Sequence, residues 1–482
     1  MSIKKTIAKY FCAISIVAFA ACDTDLGMSS LTNIIMPFDD SLDLFSLLSQ
    51  KVDEFEFTYE ALDFLYLNAH SKKELQSRKH YKGKGAESIY KDYPYPDIYN
   101  MFSQMSCPFT RYYDPRYYEQ LRDMLNYSEK NIGIGIEIRS DSTSTVITQV
   151  YPNAPGERAG LKKGDTIIDF KTANKSSEKQ HLTSEDLIGV KGDEISLTIK
   201  RNNDTLYFNN IPFKNFITPT VFIEEIDNIP IIRITEFTDT TITNDGTYGE
   251  FRSALKQTSE YNKTVIDLRG KGGGSVEHCM HMAAEMMSME TVLAYTREAT
   301  IAAKVKRRDT TYYQKIDTVK YTGKDLFEEY GDGIGKGRYY VFLQDSGTAS
   351  CSELMIMAVT ASVNAPVVGT LGYGKAIGQT YIETPDKGFV GITIAQMYDK
   401  NMDTYHEYGI EPDFNILDPD SALAKAIELA KEGTFQRTAG YGTVKNDHFV
   451  KKALAKSSNP KKELDLSRKD FFGAFRIIKP KK

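Results

Sequence analysis

Apolar residues recur at helical spacing in "LDLFSLLSQKVDEFEFTYEALDFLYL" (Leu42 to Leu67), and the chain from about Asp40 to Tyr127 reads as mainly helical. Within it, the polar, tyrosine-rich run between Ser71 and Pro96 reads as a loop. A second helix is expected in "YYDPRYYEQLRDML", with Asp114 and Pro115 as its start. At Asn131 the period changes to short alternating runs, "IGIGIEIRS", "TVITQVYP", "DTIIDFKT" and "EISLTIKRN", punctuated by Gly, Pro and Asn. This predicts a small β-rich module ending near Phe213. From Phe216 to about Glu432, strands ("IPIIRITEF", "TVIDLRG", "YYVFLQD", "APVVGT", "GFVGITIAQMYD") alternate with helices ("YGEFRSALKQTSEYN", Ser275 to Met287, and the run after Ser350). Such alternation predicts a layered α/β domain.

A chain of 482 residues exceeds one ordinary core and suggests two to four units. Its 41% hydrophobic and 26% charged residues are those of a globular protein, and a formal charge of -5 gives no global reason to expect nucleic acid. The ends depart from that average. "MSIKKTIAKYFCAISIVAFAACDTD" has lysines at 4, 5 and 9, a short apolar run and then small residues, the layout of a secretory signal too short to span a bilayer as a mature helix. Between Tyr441 and Lys482, twelve Lys/Arg stand against four Asp/Glu. That excess reads as a solvated basic tail or as a contact for an acidic surface or lipid headgroup.

With Cys12 in the signal and Cys22 at its end, Cys107, Cys279 and Cys351 remain, too widely spaced to suggest a disulfide framework. "HCMH" (His278 to His281) puts two histidines on one helical face, but no further His/Cys cluster completes a metal site. No metal and no cofactor is expected.

The chemistry concentrates in "DSGTASCSELMIMAV" (Asp345 to Val359), where Ser350, Cys351 and Ser352 all offer a nucleophile. A serine hydroxyl needs a neighbouring base. No His/Asp pair flanks the segment, and "GTAS" is not the G-x-S-x-G elbow of α/β hydrolases. A lysine can serve where burial leaves its amine neutral. "GTLGYGKAIGQT" (Gly369 to Thr380) supplies Lys375 in a glycine-flanked turn, 25 positions beyond Ser350.

Three resemblances organise these segments. "GIGIEI" (Gly133 to Ile138), "NAPGERAGLKKGD" and "GVKGDEISLTIKR" resemble a PDZ domain, in the order found in protease-associated members. The likeness implies peptide capture as an added strand. Gly133, Ile134, Gly135 and Ile136 would form the loop whose amides hold a terminal carboxylate, and a helix near Leu182 to Ile188 the facing wall. "GTASCSE" and "YGKA" resemble the nucleophile and base motifs of the C-terminal processing peptidases, tail-specific Ser/Lys peptidases of family S41. "DLRGKGGG" (Asp267 to Gly274) resembles their glycine-rich segment, with Lys271 where the family has asparagine, while "GIEPD" and "CPFTRYYDP" resemble flanking segments. The likeness covers roughly Ser103 to Ala430. Finally, "FAAC" resembles a bacterial lipobox, which implies lipidation of Cys22.

By that likeness Ser350 is the nucleophile, Lys375 the general base and Gln379 a residue orienting the lysine. Glu353 is structural or supports the site from behind. The amide of Cys351 and that of Gly273 or Gly274 are the oxyanion donors. Cys351 stands where the family has alanine; its own side chain should point away from a site built on Ser350, and Ser352 should be a packing residue. The fold implied is a multidomain α/β (α+β) chain with a layered, ClpP/crotonase-like catalytic domain and an inserted β-rich PDZ domain. Its expected divisions are a signal (1–21), tether (22–40), helical region (41–130), PDZ domain (131–213), catalytic domain (214–432) and basic tail (433–482). The function implied is a lipid-anchored serine endopeptidase of the bacterial cell envelope, on its periplasmic side or at the cell surface. It would cut protein or peptide substrates with accessible C-termini, without nucleic acid. The alternative is a lipid-anchored peptide-binding scaffold with weak or no turnover.

Overall fold

The computed structural model describes residues 53–437 except 126–130, 141–143, 173–181, 188–191, 239–240, 271, 307–308 and 327–332, and it also describes 477–478. The signal, Cys22, the tether, Lys271 and nearly all of the basic tail lie outside the described residues. The chain forms two units, one from within 1–126, 221–238 and 251–482, the other from within 127–220 and 239–250.

The first unit opens with α1 (Glu54–Leu65), capped by the Asp53 carboxylate, which accepts the Glu56 amide at 2.8 Å. Its apolar face (Phe57, Leu62, Leu65) packs with Ile98, Met101 and Phe102 of α2 (Pro96–Phe102). β1 (Arg111–Tyr113) follows, and Asp114 caps the turn that leads into α3 (Tyr118–Leu125), as the sequence predicts.

The second unit is β-rich. Among the described residues, β2 (Asn131–Gly133) pairs only with β8 (Lys214–Phe216). Between them β3 (Ile136–Ser140), β4 (Thr145–Val150), β5 (Thr166–Thr172), β6 (Glu194–Arg201) and β7 (Asp204–Pro212) form an antiparallel sheet in chain order, with the short helix α4 (Pro155–Ala159) after β4. Ile134, Ile147, Ile195, Leu197 and Ile199 fill its core. β3 is an edge strand. Ile136 opposes Val150 while the Tyr151 amide bonds Gly135 O, so the antiparallel alternation turns the amide and carbonyl of Ile136 towards the open edge. The expected helix near Leu182 to Ile188 is instead a single 3-10 turn, Ser184–Leu187, and Ile188 lies outside the described residues. The turn starts where Asp186 accepts both the amide and the hydroxyl of Thr183 at 2.7 Å, the reach-back bond that opens a helical turn.

The rest of the first unit is two sheets. β9 (Val221–Ile226) and β10 (Ile229–Ile234) form a hairpin, and α5 (Gly246–Gln257), which belongs to this unit from Phe251 onward, precedes β11 (Lys263–Asp267) and α6 (Val276–Glu285). A long hairpin of β12 (Val292–Lys306) and β13 (Asp309–Thr322) follows, which the alternation of apolar runs does not announce. Then come β14 (Tyr339–Gln344), α7 (Cys351–Thr360), β15 (Val367–Gly369), β16 (Ile377–Glu383), β17 (Phe389–Tyr398), β18 (Phe414–Asn415), α8 (Pro419–Glu432) and β19 (Ile477–Ile478). One sheet runs β18-β15-β14-β11-β10-β9, parallel except for β9. α8 buries Ala422, Ala426 and Leu429 against Val265, Val341, Leu343 and Val368 of this sheet. The other runs β13-β12-β17-β16-β19, with β1 also on β17, and α1 packs with its apolar residues. Every residue of α7 is buried, which explains why its sequence carries no polar face.

Candidate active site

Two strand ends of the parallel sheet are stitched together. Asp345, just after β14, accepts the amides of Gly270 (2.7 Å) and Gly347 (2.8 Å), and Thr348 Oγ1 donates to Leu268 O at 2.9 Å. The turn delivers Ser350 as the N-cap of α7 with φ 55° and ψ -113°, a conformation that favours glycine. Ser350 is 4% exposed, and the Tyr405 hydroxyl donates to its carbonyl at 3.2 Å.

Lys375 lies in the loop from β15 to β16 and is 1% exposed. Its Nζ sits 4.8 Å from the centre of the Phe109 ring, in surroundings that strip water from the amine. Glu353 ties the two segments together. Its Oε2 accepts both the Ser350 amide (3.1 Å) and the Lys375 amide (3.0 Å), and its Oε1 accepts the Gly374 amide (2.8 Å). Burial pushes the Glu353 carboxyl up to about 7, against the amides of Lys375, Gly374, Ser350 and Ile410, which favour its charged form. The nucleophile and base candidates, 25 positions apart in sequence, thus hang from one carboxylate. Gln379 is 4% exposed, and its amide donates to Phe109 O, behind the same ring that Lys375 meets.

Gly273 adopts φ 101°, and a Cβ there would stand 2.8 Å from Cys351 N and 3.0 Å from Ser350 Cβ. Only a glycine lets this backbone approach so closely. At Gly274, φ is 153°, and a Cβ would lie 2.1 Å from Phe237 O, whose partner is the Ser275 amide at 2.7 Å. Cys351 N is the first amide of α7 and has no intrahelical acceptor.

The expectation about the cysteines is corrected: Cys279 and Cys351 form a disulfide with their Cα atoms 5.8 Å apart, and Cys107 is free and buried. Wide spacing in sequence is no bar, because the fold brings α6 against α7. The bond also turns the Cys351 side chain to α6, and Ser352 is fully buried. His281, of the "HCMH" pair, donates from Nδ1 to Glu277 O at 2.8 Å, and no group of three potential metal ligands occurs among the described residues.

In the β-rich unit, Gly135 adopts φ 70°, and a Cβ there would stand 2.2 Å from Ala154 Cβ. The Ile134 amide points to Leu187 O at 3.4 Å, and its carbonyl accepts the Gly156 amide at 2.7 Å.

Sequence reasoning missed Phe109, Tyr405, His406 and the partner of Cys351. His406 lies beside Gly374 and Lys375, and burial holds its imidazole down at about 4. Phe109 sits in "CPFTRYYDP", and Tyr405 and His406 stand just ahead of "GIEPD"; both motifs resemble only flanking segments, which points to none of these three side chains.

Residues 228–416 match peptidase family S41 and residues 132–210 match a PDZ domain. The chain is thus similar to an S41 peptidase domain over residues 228–416 and to a PDZ domain over residues 132–210. The carboxy-terminal processing protease CtpB of Bacillus subtilis is 25% identical over 340 residues, 69% of this chain and 64% of CtpB, so the chain spans just under two thirds of that relative. The carboxyl-terminal-processing protease of Synechocystis is 23% identical over 344 residues, 70% of this chain and 74% of the relative. A solved structure described as an S41 protease from Bacteroides fragilis superposes with a TM-score of 0.50 at 14% identity, covering 79% of this chain and 98% of that one. That likeness supports the mixed α/β, multidomain S41 fold.

Proposed function

We propose that the chain is a serine endopeptidase that cuts protein substrates near their C-termini. Ser350 acts as nucleophile, Lys375 as general base, and the PDZ domain as the receptor for the substrate's extended end. The observation that carries this reading is the single carboxylate of Glu353, which holds the Ser350 and Lys375 amides at 3.1 and 3.0 Å. Neutral Lys375 takes the proton as Ser350 Oγ attacks the scissile carbonyl. The amine returns it to the leaving nitrogen, and water then releases the acyl group by the same route in reverse. The developing oxyanion meets the amide of Cys351, one of the orphan donors at the start of α7, and an amide of the glycine segment 273–274. Gln379 steadies Phe109 and, through it, the wall against the lysine. At the open edge of β3, the free amide and carbonyl of Ile136 offer a peptide its first strand bonds.

The layout of the N-terminus supports export and lipid attachment at Cys22 in a bacterial envelope, and a disulfide suits an oxidising compartment. Among the described residues no helix is long and apolar enough to cross a membrane. Loss of labelled-lipid incorporation on Cys22→Ala tests the anchor.

The peptidase reading is tested with purified protein and an unfolded substrate. Wild type should release fragments, and Ser350→Ala and Lys375→Ala should each abolish release while peptide binding persists. Equal cutting by both variants sinks the dyad. Binding without any cutting by wild type points to a scaffold.

A further inference from the structure

The two halves of the proposed oxyanion pocket come from distant stretches of chain: the glycine segment at 273–274 and the amide of Cys351. A covalent bond joins them. Cys279, five positions beyond Gly274 and at the end of the first turn of α6, is disulfide-bonded to Cys351, the first residue of α7. The link spans 72 positions of sequence and ends at the very residue whose amide faces Gly273. Both cysteines are almost fully buried, at 0% and 1% exposure, so packing alone would bring the helices together. The bond acts on something narrower, the placement of one amide beside the nucleophile.

We propose that the Cys279–Cys351 disulfide is a positioning element of the peptidase site: it holds the Cys351 amide in register with the glycine segment, and breaking it slows acyl transfer. The inference rests on the serine peptidase reading. Reduction by a dithiol cleaves the S–S bond, adds two electrons and two protons to give two thiols, and converts the dithiol to its own disulfide. No bond of Ser350, Lys375 or Glu353 is made or broken in this step. Two unbonded sulfurs need more room than a disulfide, so the start of α7 must shift relative to α6. Losing an oxyanion donor outright costs about 10²–10³ in kcat, and misplacing one should cost less. A fall in kcat of at least tenfold with KM changed less than about twofold is the expected reading.

The test uses the full chain in three states: oxidised, reduced with dithiothreitol, and reduced then reoxidised. Alkylation and mass analysis of the unfolded protein should find Cys107 modified in every state, and Cys279 and Cys351 modified only after reduction. On an unfolded substrate, reduction should lower kcat and reoxidation restore it, with circular dichroism unchanged at the assay temperature. The Cys279→Ser/Cys351→Ser variant should show the low kcat and no response to dithiothreitol. If that variant does not fold, reduced wild type carries the same reading. Equal kcat in the oxidised and reduced states overturns the positioning role and leaves the peptidase standing. Alkylation of Cys279 and Cys351 without reductant overturns the bond itself. An oxidised protein that cuts nothing overturns the peptidase reading and this inference with it.

Discussion

Replacing Glu353 with glutamine separates what its charge does from what its shape does. One carboxylate oxygen accepts the Gly374 amide and the other accepts those of Ser350 and Lys375. A glutamine offers one oxygen, so either orientation leaves at least one of these buried N–H groups facing another donor, at about 1–3 kcal/mol for each group left unpaired. That cost does not depend on pH. The charge contributes the other way. Burial raises the wild-type carboxyl from 4.5 to about 7. Between these values the folded protein keeps a proton that the unfolded chain has released, so wild-type stability falls as pH rises through the window. At 1.36 kcal/mol per pH unit, the penalty approaches about 3 kcal/mol above pH 7. Glutamine carries no such penalty, so E353Q should gain about 3 kcal/mol on the wild type between pH 4.5 and pH 8. Other titrating groups are shared by both proteins and cancel. Because the chain has two units, the assay is hydrogen exchange of peptides from β14 and α7, which reads the opening of the segment that holds Glu353. A difference between the proteins that stays within about 1 kcal/mol across this range would refute the balance between burial and amide bonds described here.

Gly273→Ala places a side chain 2.8 Å from Cys351 N at φ 101°. We expect kcat to fall by about 10²–10³ with the fold retained, measured by fragment release alongside circular dichroism. His406→Gln should remove an acid-labile step. Its imidazole is lowered from 6.5 to about 4, so the unfolded chain takes up a proton first and stability falls as pH drops through that window. The wild type should therefore lose up to about 3 kcal/mol more than the variant between pH 7 and 4, read by the same exchange experiment. Gly135→Ala should weaken binding of a labelled peptide with a free C-terminus at least tenfold by fluorescence polarisation, because its Cβ would overlap Ala154 at 2.2 Å.

The alternating helices and strands of the parallel sheet were legible because β11, β14 and β15 are short apolar runs bounded by turn residues. The β12–β13 hairpin was not. Its inward positions include Thr296, Glu298 and Tyr321, a buried set in which the Glu298 carboxylate takes both hydroxyls. Polar residues that satisfy one another inside a sheet erase the apolar alternation from which strands are read. The site shows the same division. Ser350, Lys375 and the glycines announce themselves by motif, whereas Cys279 and Phe109 reach it only through the packing of α6 on α7 and of the chain ahead of β1 against β17. Glu353 was visible as a letter of the motif. Its grip on two segments was not, since hydrogen bonds to backbone amides leave no pattern in side chains.

The backbone of Ser350, at φ 55° and ψ -113°, gives the proposed nucleophile a standing cost. A non-glycine residue in such a conformation is strained by about 1–3 kcal/mol, and the surrounding structure must hold it there in every folded molecule, whether or not substrate is present. Selection for durability and selection for turnover therefore pull in opposite directions at this one residue. A lineage that lost the need to cut would be free to place glycine there and become the more robust protein for it.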